Sequence, residues 1–138
     1  MLRYMLDTNV CIYVMNNHPG EFRIRFNRLS DQLSISTIAL AELLFGAEKS
    51  RERNRNLQSV DEFTARLQVL SFSATAAAHY GQIRAELSAS GKIAGPHDML
   101  IGAHARSEGL VLVTNNTSEF SRISGLRVEN WLEEGDHS

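Results

Sequence analysis

The sequence has a single cysteine, Cys11, among 138 residues, so no disulfide can form within the chain. That usage fits a reducing compartment, because disulfides are rare in cytosolic proteins. The chain opens on Met1 and Leu2 without a long apolar segment, and no apolar run approaches the about 20 residues needed to span a membrane. We therefore expect a cytoplasmic protein.

An excess of basic charge is also lacking. Lysine and arginine number 14 against 16 aspartates and glutamates, which gives a formal net charge of −2. This balance excludes the bulk signature of a non-specific nucleic-acid binder. Any contact with nucleic acid must use a metal ion or a local basic surface. Two groups are candidates for that surface: Arg23, Arg25 and Arg28, or Lys49, Arg51, Arg53 and Arg55.

Several familiar binding motifs are missing as well. The sequence has no phosphate-binding P-loop and no glycine-rich dinucleotide fingerprint, which argues against nucleotide binding in those styles. It has no cysteine and histidine spacing suited to structural zinc. The remaining composition, with 43% hydrophobic and 22% charged residues, is ordinary for a globular domain. We expect one domain over residues 1–132 and a polar tail at 133–138.

Hydrophobic patterns predict strands that alternate with helices, as in an α/β domain with a mainly parallel sheet. A helix cap is expected at Thr8 or Asn9, and a second one at Thr37. The helix after Thr37 is apolar on every side except at Glu42, so we expect it to be buried. Strands are predicted at 2–6, 33–36, 68–70, 110–113 and 127–129, and helices at 10–15, 22–29, 37–47, 57–67, 74–90 and 96–109.

Three carboxylates lie in strongly apolar surroundings. Asp7 ends an apolar strand, Glu42 is the one acid of an apolar helix, and Asp98 falls in the first turn of another helix. A buried carboxylate is costly unless something pairs with it. In open α/β sheets, ligands bind at the carboxyl ends of the strands, which is where Asp7 stands.

A second strand end adds further polar groups, because Thr114, Asn116 and Glu119 follow the apolar run 110–113. If the two strands are neighbours, these groups and Asp7 face one crevice. Carboxylates gathered there would repel one another, and a hard divalent cation such as Mg²⁺ or Mn²⁺ removes that penalty. Such a cation can activate water against a phosphate, so phosphodiester hydrolysis is the natural interpretation.

The order and spacing of five short segments resemble the PIN-domain ribonucleases, and most closely the VapC toxins of bacterial VapBC toxin–antitoxin modules. The resemblance covers residues 1 to about 131. It implies a three-layer α/β/α sandwich and an endoribonuclease dependent on Mg²⁺ or Mn²⁺. The segments are Asp7-Thr8-Asn9, Ala41-Glu42-Leu43, Pro96-His97-Asp98, Thr114-Asn115-Asn116 and Glu119-Phe120.

The same resemblance implies partners. It implies a homodimer, and a VapB-type antitoxin that blocks the site with its C-terminal segment. It also implies a larger complex that binds operator DNA through the antitoxin. The implied substrate is RNA, with the anticodon region of initiator tRNA as the first expectation, and the implied effect is inhibition of translation.

Roles for single residues follow from the resemblance and from the chemistry of the side chains. Asp7, Glu42 and Asp98 are expected to hold the metal. Many family members have an aspartate where this chain has Asn116, so Glu119 is expected to be the fourth catalytic acid. Supporting roles are expected for four residues. Thr8 and Thr114 would donate hydroxyl hydrogen bonds to Asp7 or Asp98, Asn116 would orient its neighbours, and Asn9 would lie near the site.

Each of these residues also has a simpler interpretation. Asp7 could only cap a helix, Asp98 could only complement a helix dipole, and Asn116 with Glu119 could form a capping box. His97 is expected to point about 100° away from Asp98 around the helix and to be structural or solvated rather than a general acid. For the whole chain, the alternatives are a phosphatase-like α/β enzyme and a non-catalytic module that kept the fold.

Overall fold

In the computed structural model, which describes residues 1–16, 21–92 and 94–131, five strands form one sheet. The strands are β1 (Tyr4–Leu6), β2 (Leu33–Ser36), β3 (Gln68–Leu70), β4 (Val111–Val113) and β5 (Val128–Glu129). Their order is β3-β2-β1-β4-β5, and every pairing is parallel. The predicted tail at 133–138 lies outside the described residues, so that boundary stays a prediction.

Helices connect the strands, because parallel neighbours cannot be joined by tight turns. They are α1 (Thr8–Met15), α2 (Glu21–Arg28), α3 (Thr37–Glu48), α4 (Arg53–Thr64), α5 (Ala74–Ala89), α6 (Pro96–Ser107) and α7 (Thr117–Phe120). Helices α1, α3 and α4 pack on one another, and α5 packs on α6. Helices lie on both sides of the sheet, which confirms the predicted α/β/α sandwich.

Burial follows position in the sheet. Every residue of β1, β2 and β4 is buried, whereas the edge strands β3 and β5 are partly exposed. This explains why β1 and β4 are continuous apolar runs, since parallel strands in the middle of a sandwich are covered on both faces. No helix in the described part of the chain is long and apolar enough to cross a membrane.

The order in which the chain adds strands to the sheet reverses at β1. The chain first adds β2 and β3 on one side of β1 and then crosses over to add β4 and β5 on the other. Such a switch point opens a crevice at the carboxyl ends of the two strands that flank it. Asp7 follows β1 and Thr114 follows β4, and the Asp7 N–H donates to the Val113 carbonyl across the pair at 3.1 Å. The predicted convergence of these two strand ends is confirmed.

Two predicted helix caps are wrong by a residue. The cap of α1 is Asp7 rather than Thr8 or Asn9, because Asp7 is still extended and its Oδ1 accepts from the Val10 N–H at 2.8 Å. The cap of α3 is Ser36 rather than Thr37, and its Oγ accepts from the Ile38 N–H at 3.0 Å. In both cases the last strand residue turns directly into the helix, so the capping position falls earlier than expected.

The sequence of α3 suggested that the helix is buried on every side, but in the structure it is buried on one side only. Only Ala39, Leu43 and Ala47 are buried, while Leu44 is 38% and Phe45 65% exposed. An apolar run does not distinguish a face covered by the fold from one left for a partner. Helix α4 also begins earlier than the predicted residue 57, at Arg53.

Candidate active site

Asp7 lies at the bottom of the crevice with 3% of its surface exposed. Its Oδ1 accepts from the Val10 N–H, and its Oδ2 accepts from the Thr114 hydroxyl. Burial raises the pKa of Asp7, the two hydrogen bonds lower that pKa in part, and the nearby charge of Glu42 raises it. Asp7 is therefore a helix cap and also a member of the crevice, which removes the choice between the two interpretations.

Threonine hydroxyls hold two of the acids. Thr114 is fully buried and also accepts from the Asn116 N–H at 2.9 Å, so its hydroxyl proton is directed at Asp7, as predicted. The Thr8 hydroxyl donates at 2.7 Å to Glu42 Oε1, not to Asp7 or Asp98 as expected. The reason is that Thr8 lies in the first turn of α1, which packs against α3. Asn9, on the same turn, is exposed.

Glu42 reaches from α3 toward two other helices. Besides Thr8 of α1, it meets His97 of α6, whose Nδ1 is 3.1 Å from Glu42 Oε2. His97 is solvated, as expected, with 64% of its side chain exposed, but it also contacts an acid of the site. Helical periodicity predicts that the side chains of His97 and Asp98 point in different directions. It does not predict contacts between helices, such as the one between His97 and Glu42.

Asp98 shows that the acids share one crevice. Burial is the main cause that raises its pKa to about 6. Further causes are a hydrogen bond with Glu119 and the charges of Glu119, Asp7 and Glu42. Carboxylates repel one another electrostatically only when they lie close together in a shielded place. We call these four residues, Asp7, Glu42, Asp98 and Glu119, the acidic crevice.

Glu119 is tied to the protein by both oxygens. Its Oε1 accepts from the Gly95 N–H and its Oε2 from the Asn116 side-chain amide, each at 2.6 Å. The Gly95 hydrogen bond is the main cause that lowers the pKa of Glu119. The alternative of a capping box is wrong, because the Asn116 side chain makes no cap hydrogen bond and contacts Glu119 instead.

The carboxylate oxygens of the acidic crevice suit a hard divalent cation. Carboxylate oxygens are the preferred ligands of Mg²⁺, and a cation would relieve the repulsion that raises the pKa of Asp98. Among residues 1–16, 21–92 and 94–131, no three histidine, cysteine, aspartate or glutamate side chains are close enough to hold a metal ion as they stand. Three of the acids are instead hydrogen-bonded by Thr8, Thr114, Val10, Gly95 and Asn116.

A groove of about 530 Å³ begins at Glu42 and runs between α1, α3 and α4. Arg55 lines it together with Glu52, while Ile12, Met15 and Leu43 supply apolar walls. Of the predicted basic group at 49–55, Arg55 therefore shares this groove with Glu42.

The other basic group, which is Arg23, Arg25 and Arg28, lies along α2. The Arg25 guanidinium stands 5.2 Å from the centre of the Trp131 ring, which packs on Tyr4 at the start of β1. Helix α2 leads toward the start of β2, so its last turn, with Arg28, lies toward the amino ends of the strands. This places Arg28 toward the opposite edge of the sheet from Asp7, whereas Arg23, in the first turn of α2, lines a smaller pocket with Met15 and Ser59, which also line the groove.

Two further titratable residues, His104 and Cys11, pack inside the protein. His104 is buried, its Nδ1 is 2.8 Å from Ser36 Oγ, and burial lowers its pKa. Cys11 is fully buried, and burial raises the pKa of its thiol well above the usual range. A thiol of this kind is not a nucleophile at neutral pH.

Comparison with known proteins gives consistent matches over nearly the whole chain. The family model of the PIN domain matches residues 4–126 of this sequence. The chain is 51% identical over 131 residues to the tRNA(fMet)-specific endonuclease VapC of Shigella flexneri, which covers 95% of this chain and 99% of that protein. It is 50% identical over 132 residues to ribonuclease VapC2 of Haemophilus influenzae, which covers 96% of this chain and 100% of that protein.

Solved structures agree. A chain in the crystal structure of DNA-bound VapBC from Salmonella typhimurium superimposes with a TM-score of 0.92 at 52% identity. The match covers 95% of this chain and 99% of that one.

Proposed function

The chain belongs to the PIN-domain family and, within it, to the VapC ribonucleases, and we propose that it cleaves RNA with a divalent metal ion. The observation that carries this proposal is the acidic crevice itself, formed where β1 and β4 end on either side of the switch point. Burial and the neighbouring acids raise the pKa of Asp7 and of Asp98, and a cation that acts on phosphates would stabilise both as carboxylates.

The proposed metal is Mg²⁺, with Mn²⁺ as a substitute, held by Asp7, Glu42 and Asp98. When bound, Mg²⁺ supplies charge neutralisation at a phosphate oxygen and a water of lowered pKa. The chain's own residues prepare the site. Thr114 and the Val10 N–H fix the Asp7 carboxylate, and Thr8 fixes Glu42.

For Glu119 we propose a positioning role rather than the metal-binding or catalytic role expected from sequence. The support is where its partners lie: Glu119 accepts hydrogen bonds from Gly95, which directly precedes α6, and from Asn116, which directly precedes α7. Through Gly95 it fixes the start of α6, which carries Asp98 three residues later. Its charge and its hydrogen bond also help to raise the pKa of Asp98, so it tunes the ligand as well as holding it.

The proposed substrate is tRNA, with the anticodon region of initiator tRNA as the site of cleavage. The support is the name of a relative, the tRNA(fMet)-specific endonuclease VapC, which is 51% identical to this chain along nearly its whole length. Cleavage there would stop initiation of translation, which is the action expected of a toxin. We place this activity in the cytoplasm, where initiator tRNA is found.

The proposed partner is a VapB-type antitoxin. The groove that begins at Glu42 has apolar walls and leads directly to the acidic crevice, so a segment bound in it would block the site. The exposed side chains of Leu44 and Phe45 on α3 provide further apolar surface for such a partner. We also propose a homodimer, and operator binding through the antitoxin. This is in line with the DNA-bound VapBC complex, one chain of which superimposes on this protein.

The test is cleavage of purified initiator tRNA, with elongator methionine tRNA as the comparison. We expect cleavage by the parent protein with Mg²⁺, none after EDTA, and none by Asp7→Asn. Asparagine is also a good helix cap, so this change removes the charge and keeps the capping group. The control is Asp31→Asn, the same change on an exposed residue ahead of β2, which should cleave like the parent. Cleavage by Asp7→Asn at the parent's rate would refute the proposal.

A further inference from the structure

Glu42 is the one acid of the crevice held by partners from two different helices. Thr8 of α1 donates to Oε1 at 2.7 Å, and Nδ1 of His97 of α6 lies 3.1 Å from Oε2. Each carboxylate oxygen therefore has its own partner. The three residues together join α1, α3 and α6 at the mouth of the crevice.

The second partner matters because of the length of the glutamate side chain. Fixing such a side chain costs rotamer entropy, and its carboxylate can still turn when only one oxygen is held. Contacts at both oxygens fix the plane of the group. Groups that orient a metal ligand in this way commonly change metal affinity by about 10- to 100-fold when they are removed.

His97 is well placed for this task and has little else to do in the fold. Its side chain is 64% exposed, so it contributes little to the hydrophobic core. It directly precedes Asp98 in the first turn of α6. One short segment thus supplies a ligand and also the residue that holds a ligand from another helix.

We propose that His97 is a positioning residue that acts through Glu42, fixing the carboxylate for the divalent cation of the acidic crevice. This inference rests on the proposed metal-dependent function and adds a residue to it. The active feature is the ring nitrogen Nδ1, which faces Glu42. The ring itself, and its exposed edge, are not required.

Two substitutions separate the nitrogen from the ring. His97→Asn keeps a nitrogen donor on Cγ, the position that Nδ1 occupies in histidine, and loses the ring. His97→Phe keeps a ring of similar size and loses the donor. Mn²⁺ binding to the metal-free protein, measured by electron paramagnetic resonance, reports on the site without any need for catalysis.

We expect His97→Phe to weaken Mn²⁺ binding about tenfold and His97→Asn to bind within about twofold of the parent. At saturating Mn²⁺, the kcat of both variants for tRNA cleavage should approach that of the parent, because the ligands are intact. Melting temperatures should change little, since the side chain is mostly exposed.

Several results would overturn the inference. Equal Mn²⁺ affinity in the parent and His97→Phe would show that Glu42 needs no second partner. An equal loss in both variants would show that the ring, not the nitrogen, matters. A change confined to the KM for tRNA would make His97 an RNA contact. If the parent bound no Mn²⁺ and cleaved no tRNA, the proposed function would fail first and this inference with it.

Discussion

At the scale of single residues, three acids of the crevice are held by partners from other parts of the chain. Thr114 holds Asp7, Thr8 holds Glu42, and Gly95 holds Glu119. Only Asp98 depends mainly on another acid, and burial with that repulsion raises its pKa to about 6. Asp98 is therefore the residue at which pH should act most visibly on the metal-free protein.

The pH dependence has a defined sign. The pKa of Asp98 is about 6 in the folded protein against 3.8 as its ordinary value, so the folded state binds a proton more readily. The stability gained is fully present below the ordinary pKa and is lost as pH rises through about 6. We expect the melting temperature of the metal-free parent, minus that of Asp98→Asn, to fall as pH rises from about 4 to about 7.

The two melting temperatures have to be subtracted because His104 changes the pH dependence of stability in the opposite direction. Its lowered pKa gives stability that is present above its usual pKa and is lost as pH falls. Both proteins contain His104, so the subtraction removes its contribution. A difference that stayed constant over this pH range would mean that the crevice does not shift the pKa of Asp98.

The sequence was sufficient to select these residues but not to pair them. The contact between Thr114 and Asp7 was predictable, because both follow neighbouring parallel strands. The contacts of Glu42 were not, because Thr8 and His97 reach it only after α1, α3 and α6 have packed. Pairing across helices depends on packing geometry that no periodicity contains.

At the scale of elements, α3 and α6 carry Glu42 and Asp98 and must keep a fixed distance. A buried contact joins them, since Ser36 caps α3 and its hydroxyl also meets Nδ1 of His104 on α6. Ser36 thus serves two helices at once. Loss of its hydroxyl removes a helix cap and leaves a buried imidazole nitrogen without its partner.

We expect Ser36→Ala to lower the free energy of unfolding by about 2–4 kcal/mol, measured by urea denaturation. Ser73→Ala is the matched control, because Ser73 caps α5 through the Ala76 N–H and is exposed. It should cost only about 1 kcal/mol. Equal losses in the two variants would show that the contact with His104 does not stabilise the fold.

Element positions were predictable to within a few residues, because apolar runs and helical spacing are local properties. The burial of α3 was not predictable in the same way. Its sequence looks like that of a core helix, yet Phe45 is largely exposed. Hydrophobicity measures the tendency to leave water, and it does not say whether the protein or a partner provides the cover.

At the scale of the whole molecule, a net charge of −2 has to be reconciled with an RNA substrate. The parallel topology separates Arg55 at the start of α4 from Arg28 at the end of α2. A helix that leads into a parallel strand runs back to the amino edge of the sheet, so the start of α4 lies near the crevice and the end of α2 lies far from it. The strand order was not predictable from the sequence, but a mainly parallel sheet was.

We therefore expect Arg55→Gln to raise the KM for tRNA roughly fivefold, equivalent to about 1 kcal/mol, and to reduce the salt dependence of binding. Arg28→Gln makes the same change of charge on an exposed residue at the far end of α2 and should leave the KM unchanged. Comparison of the two in steady-state cleavage assays gives the measurement. An equal effect of both changes would mean that overall charge, rather than the groove, attracts the RNA.

The proposed function requires that the acidic crevice bind a divalent cation through Asp98 and its neighbours. Its most direct test is Mn²⁺ binding to the metal-free protein, with Asp98→Asn and the control Asp31→Asn titrated beside the parent and circular dichroism used to verify that all three are folded. We predict that the parent and Asp31→Asn bind alike, and that Asp98→Asn loses at least about tenfold in affinity. Binding by folded Asp98→Asn with the affinity of the parent would contradict the account.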